Sequence, residues 1–374
     1  MESRSTGNRF LWSSVLVLLA LGCGSAVWWY GPWNAENRYK HMDLVTLRRT
    51  LDDHPNDFVG WRQLGLRLAK DGDANMAEPA LRQAHTLNPS DPEVATGLGE
   101  LLLDTKRLPE AFQVLKTTTE STPRFIPAHL ALGRLYRRKA SYLHASEQYE
   151  AVVALDPKDV DAWYELAICY LQMQQSAKAQ DAITRALQLA PQNPRVLALC
   201  SSVDAAVGKV DEGIAAATKA ASLAPKDFKV QENLANILLA NSRGPDDLNA
   251  ADREIGILEQ LNPQYPLLPF LRGELERQRQ HWEAAARYLE RALATTPDQN
   301  EVYASLSKTY RHLNREKEAD QIDRILKQRQ ELDQQVNSVR IAMGSQPNDI
   351  HLYIKLADLQ VQLNDRISAA GTLE

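Results

Sequence analysis

A chain of 374 residues with 43 Lys plus Arg against 48 Asp plus Glu is close to electrostatic balance, which removes the charge footprint expected of a nucleic-acid-binding protein. Three cysteines, none in a Cys-x-x-Cys pair, exclude a disulfide framework, a zinc ribbon and covalent haem attachment as readings of the sequence. The length would ordinarily suggest two or three domains, a limit that disappears when a chain is built from repeats touching only their neighbours.

Residues 1–9 form a short polar tail that carries Arg4 and Arg9. Phe10 to Tyr30 then gives 21 positions without a charge, about 32 Å of helix and enough to cross a bilayer. Trp28, Trp29, Tyr30 and Trp33 stand at the far end, where amphipathic rings favour the headgroup region. The direct reading is an uncleaved transmembrane anchor over 10–30. It makes the protein single-pass in the membrane, with the tail inside and the rest on the extracytoplasmic (periplasmic) side. The competing reading acylates Cys23, which follows Ala20-Leu21-Gly22 and resembles a bacterial lipoprotein box; Ala20 stands where that pattern wants Leu, and the residues after Cys23 stay apolar. Residues 31–40 read as a tether, and 41–57 as a leading half-repeat helix with Leu47 in the core.

From there a proline returns every 34 residues: Pro55, Pro89, Pro123, Pro157, Pro191 and Pro225. A fixed period of this length belongs to stacked helical pairs, each proline stopping a second helix because its ring removes a backbone donor and pushes the preceding residue out of the helical region. Asp57, Asp159 and Asp349 follow such prolines in N-cap position. Two columns stay small: Gly65, Gly99, Gly133, Ala167, Ser201, Ala235, Gly273, Ser307 and Ala357 on the first helices, and Ala77, Ala111, Ala145, Ala179, Gly213, Ala251, Ala285, Ala319 and Ala369 on the second. Paired helices cross closely only where bulk is absent, so neither helix is expected to carry bulk at the contact. Large apolar columns, Leu64 to Leu356 and Leu81 to Leu289, fill the space around it.

With Trp61, Leu64, Gly65, Leu68, Ala77, Leu81, Ala84 and Pro89 in one unit, the spacing closely resembles the tetratricopeptide repeat. The fold class expected is all-α, a superhelix of helix-turn-helix pairs over 58–374 with about nine repeats, preceded by the transmembrane helix. The fifth unit departs from the pattern at Cys200 and Asp204 and the seventh at Arg272 and Glu276, polar groups at core positions where local loosening is expected. The sixth has a four-residue insertion around Asn241 to Asp247 that reads as a longer turn on Gly244 and Pro245. After Pro297 an extended helix is expected near 317–343. Its stripe Ile322, Ile325, Leu332, Val336, Val339 and Met343, interrupted by Arg329, packs on the ninth unit. The residues up to Glu374 then read as that unit's second helix.

No constellation for catalysis, cofactor or metal appears, and His129, in a column shared with Trp61, Trp163 and Tyr303, reads as packing. Cys169 and Cys200, on first helices of adjacent units, read as two independent buried thiols. The resemblance places function in the groove lined by the first helices, at the second, fifth, ninth and twelfth places of each unit. It points to Leu130, Arg134 and Arg137 with Arg138 beside them, then Tyr164, Asn236, Phe270, Glu274, Lys308 and Arg311. Arg134, Arg137 and Arg138 form the densest basic cluster, suited to a partner carboxylate. The chaperone-tail clamp of some relatives is not supported, because Arg62, Leu66 and Gly97 occupy its places. The function expected is a non-enzymatic, membrane-anchored scaffold that binds protein partners or peptide segments, with no nucleic acid and no small-molecule substrate. The alternative is a permanent structural subunit of a larger membrane complex.

Overall fold

The computed structural model describes residues 32–345, 349–363 and 372; the tail 1–9, the expected anchor over 10–30, Cys23 and Ala369 lie outside the described residues. Among the described residues every regular element is a helix, and none is long and apolar enough to cross a membrane. Two compact units meet in sequence at Leu155 and Asp156. The first holds α1 (Pro32–His41), α2 (Leu44–Asp53), α3 (Phe58–Lys70), α4 (Ala74–Leu87), α5 (Pro92–Asp104), α6 (Leu108–Ser121), α7 (Ile126–Arg138) and α8 (Tyr142–Leu155). The second holds α9 (Val160–Gln172), α10 (Ser176–Leu189), α11 (Pro194–Ala206), α12 (Val210–Leu223), α13 (Phe228–Ala240), α14 (Pro245–Leu261), α15 (Leu268–Gln278), α16 (Trp282–Thr295), α17 (Asn300–His312), α18 (Glu316–Ser345) and α19 (Ile350–Gln362).

The first helices begin where the capping residues place them. Asp57, Asp91, Asp159 and Asp349 each accept a backbone N–H of the first turn at 2.9–3.0 Å, using donors that the helix itself cannot satisfy. The second helices end two residues before the proline, and the residue between is held extended, from φ −128° at His54 to φ −149° at Asn262. The proline carbonyl is then stapled to the next helix. Trp61 Nε1 donates to Pro55 O at 2.9 Å, Trp163 Nε1 to Pro157 O at 2.9 Å and the Tyr303 hydroxyl to Pro297 O at 3.0 Å. His129 Nε2 meets Pro123 O at 3.1 Å, so this histidine is a packed and hydrogen-bonded side chain.

Inside seven hairpins the turn is left-handed at one repeated place: Gly72, Lys106, Ala140, Gln174, Gly208, Gln280 and Asn314 have φ between +54° and +83°, whereas the sixth, with its insertion, has Asn241 at φ −123°. The next amide reaches back over the helix end, as in Asp73 N to Leu68 O at 3.0 Å and Arg107 N to Leu102 O at 2.8 Å, which satisfies a carbonyl the helix leaves open.

Packing follows the two small columns, with one correction. The alanines Ala77, Ala111, Ala145, Ala179, Ala251, Ala285 and Ala319 are wholly buried. The first-helix glycines, however, face the large column: a Cβ would stand 2.8 Å from Leu81 at Gly65, 2.5 Å from Leu115 at Gly99, 2.9 Å from Tyr149 at Gly133 and 2.7 Å from Leu289 at Gly273. The crossing is therefore small against large, and each glycine is the seat of one leucine or tyrosine.

Four further expectations are corrected. Residues 31–40 are not a loose tether, since α1 spans Pro32–His41; Tyr39 is buried, its hydroxyl donates to Asp57, and Arg67 Nη1 donates to the Tyr39 carbonyl at 3.0 Å. The insertion of the sixth repeat lengthens a helix more than a turn, because Pro245 to Asp247 form the first turn of the 17-residue α14. The seventh repeat is not loosened: Arg272, 18% exposed at its side chain, is held by Glu259 at 2.7 Å and by Asp252, while Glu276 pairs with Arg279 and His281. The interruption at Arg329 is an anchor, donating to Asn300 Oδ1 at 2.9 Å and to the carbonyls of Asp298 at 2.9 Å and Leu363 at 3.2 Å. The stripe of the 30-residue α18 follows the expectation in part: Val336 and Val339 are buried with Leu356, Leu359 and Leu363, whereas Ile322 packs with Tyr303 and Leu306 of its own hairpin and Ile325 is exposed.

Candidate partner-binding face

Within the first unit the basic cluster lies on α7, directly after α5 in the row of first helices. Arg134 and Arg138 are exposed and Arg137 is half-buried. Arg134 Nη2 is ion-paired with Glu100, and Arg138 Nη2 stands 3.4 Å from Asp104 Oδ1 while its other arm donates to the Leu103 carbonyl. A different pairing precedes it, where Arg62 on α3 reaches forward to Asp91 at 3.6 Å and Glu93 at 3.2 Å. Arg134 and Arg138 thus form an internal ladder, each beside a carboxylate of the preceding repeat. That partner was visible in the period, because Glu100 and Asp104 stand one repeat before Arg134 and Arg138.

In the second unit the candidates divide into packed and exposed. Tyr164 on α9 is half-buried beneath the Arg195 guanidinium, 5.0 Å from its ring centroid, and Phe270 on α15 is half-buried against the apolar core. Glu274 is paired with Arg277 at 2.8 Å. Arg311 is paired with Asp323 on α18 of its own hairpin, whose carboxyl is held below its usual range by the Ser307 hydroxyl and by Arg311 itself. Asn236 on α13 and Lys308 on α17 are exposed, while Ala235, Ile237, Ser307 and Thr309 beside them are buried. Sequence reasoning missed Glu232, a buried carboxylate at the fifth place of the sixth repeat. It accepts from Lys229 Nζ at 3.0 Å and from the Tyr265 hydroxyl, whose pKa is raised by burial and by this carboxylate.

The chemistry that these side chains offer is charge and hydrogen bonding. Among the described residues no three His, Cys, Asp or Glu side chains gather to hold a metal ion. Cys169 and Cys200 are buried and neither is in a disulfide. Burial and the Asp204 carboxylate, 3.3 Å from Sγ, push the Cys200 thiol up to about 12, so it stays protonated at neutral pH.

Two family models, both described as tetratricopeptide repeat, match residues 68–135 with 142–203 and residues 270–332, together just over half of the chain. A tetratricopeptide repeat-containing protein of Caenorhabditis elegans, trd-1, is 25% identical over 245 residues, covering 62% of this chain and 31% of that protein. Human protein O-mannosyl-transferase TMTC3 is 29% identical over 121 residues, 32% of this chain and 13% of that one. The chain spans less than half the length of either relative. The solved structure of a tetratricopeptide repeat protein from Parabacteroides merdae superposes with a TM-score of 0.55 at 18% identity, over 67% of this chain and 98% of that one, and shows the same fold. On its family models and its helical pairs alike, the chain belongs to the tetratricopeptide repeat family.

Proposed function

We propose that this protein is a membrane-tethered scaffold that binds a protein partner or an extended peptide segment on the face made by its first helices. Residues 10–30 are its tether, and the repeats work on the extracytoplasmic side. The observation that supports this most is the ninth place of the first helices, where Asn236 and Lys308 stand exposed between buried neighbours on both sides. A side chain in that setting adds little to its own fold, so its chemistry is free to be set by a partner. The transferase activity in the name of TMTC3 is not carried over, because the match takes in 13% of that protein.

Photo-crosslinking groups placed at Asn236 and Lys308 test the reading against one at the exposed Glu212 on α12. Adducts at the first two and none at Glu212 support it, whereas adducts only at Glu212 move the partner to the second helices. Extraction in mild detergent then separates an adaptor from a permanent subunit: the adaptor runs as a single chain, and the subunit keeps its stoichiometric partners.

A further inference from the structure

The staple between proline and first helix is missing from the repeat that begins at Pro92. In the first unit the same place holds Trp61, then Ala95, then His129, and Trp61 and His129 each turn a ring nitrogen to the preceding proline carbonyl, at 2.9 Å and 3.1 Å. Ala95 offers neither a ring nor a donor. At this spot the structure has a cleft of about 220 Å³ with Ala95 and Pro89 in its lining, flanked by His85 from α4 and by Gln113, Thr117 and Thr118 from α6. His85 Nδ1 is buried there and makes no hydrogen bond.

We propose that this cleft is a docking site for a tryptophan side chain of a protein partner, which supplies in trans the ring that its sister repeats supply from their own sequence. The argument is one of equivalence within a single chain. The same helix ends and the same proline turn surround an indole at Trp61, so the backbone at Ala95 is already shaped for one. The Pro89 carbonyl is the acceptor that an indole N–H needs when buried. An aromatic anchor entering a pocket with one directed hydrogen bond is the usual form of an energetic centre in a protein interface. The site lies at the junction of two repeats, apart from the first-helix face, and does not depend on the reading given for that face.

The test uses the full chain and N-acetyl-5-fluorotryptophanamide, followed by fluorine NMR line broadening. Saturable binding is expected, and Ala95→Trp, which fills the seat from within, is expected to weaken it at least tenfold. The N-methylated indole probe, lacking the donor, is expected to bind about threefold to tenfold more weakly to the unmodified chain. Absence of saturable broadening, or equal binding to the Ala95→Trp chain, overturns the site. The two probes decide the carbonyl contact even where Ala95→Trp does not fold, since equal affinity of both overturns the proposal.

Discussion

Seven left-handed residues make the turns between paired helices, and only Gly72, Gly208 and Asn314 among them are types that adopt this conformation readily. For Lys106, Ala140, Gln174 and Gln280 the left-handed well costs roughly 1–2 kcal/mol each, offset by the carbonyls that the reversed amides satisfy. Gly208→Ala should therefore lower stability by about 1 kcal/mol, and Gln174→Gly should leave it unchanged or raise it by up to about 1 kcal/mol. Urea midpoints read both, and a midpoint lowered by Gly208→Ala but not by Gln174→Gly is the check. This turn was illegible in the sequence because its signature residue is absent from most copies. The proline and alanine columns were legible because backbone geometry and close crossing admit few substitutes. The gap at Ala95 stood in the same column as Trp61, His129 and Trp163, and its meaning needed the cleft to be seen.

At the scale of helices, the misread positions share one cause: their partners lie on neighbouring elements. Arg272 has Glu276 one turn away on its own helix, yet its carboxylates are Asp252 and Glu259 on α14. Burial raises the Asp252 carboxyl, but the hydrogen bonds from Arg272 and Arg279 outweigh it and the group sits below its ordinary range. Glu259 is lowered chiefly by Arg272. Because the folded values lie below the unfolded ones, the stabilisation is present above the ordinary carboxylate range and is lost as pH falls through the folded values. Arg272→Met should shrink the difference in urea midpoint between pH 7 and pH 3, and an unchanged difference would mean that the network does not hold the repeat. Overpacking is the complementary test of register. Ala179, wholly buried on α10, replaced by Leu should cost about 1–3 kcal/mol, read from the same unfolding curves.

For the whole molecule, the repeats within each unit contact their neighbours, so damage stays local and function can be separated from folding. The Arg134–Glu100 ladder allows that separation. Replacing Arg134, Arg137 and Arg138 together by Glu should abolish partner capture with helicity retained. Exchanging Arg134 and Glu100 restores the internal pair but reverses the charges shown to a partner. If the exchange recovers binding, the arginines serve the fold alone; if binding stays lost, they are read by the partner. Removal of residues 1–30 should release the chain from membranes, checked by sedimentation.

The clamp at Arg329 carries a consequence of its own. Its three acceptors are the Asn300 amide and two peptide carbonyls, none of which takes up a proton in any solution the protein would survive. Acid that loosens the seventh repeat should leave the ninth gripped. One methionine at position 329 should do what acid does not, opening the Leu356–Leu363 amides to deuterium while those of α17 stay closed.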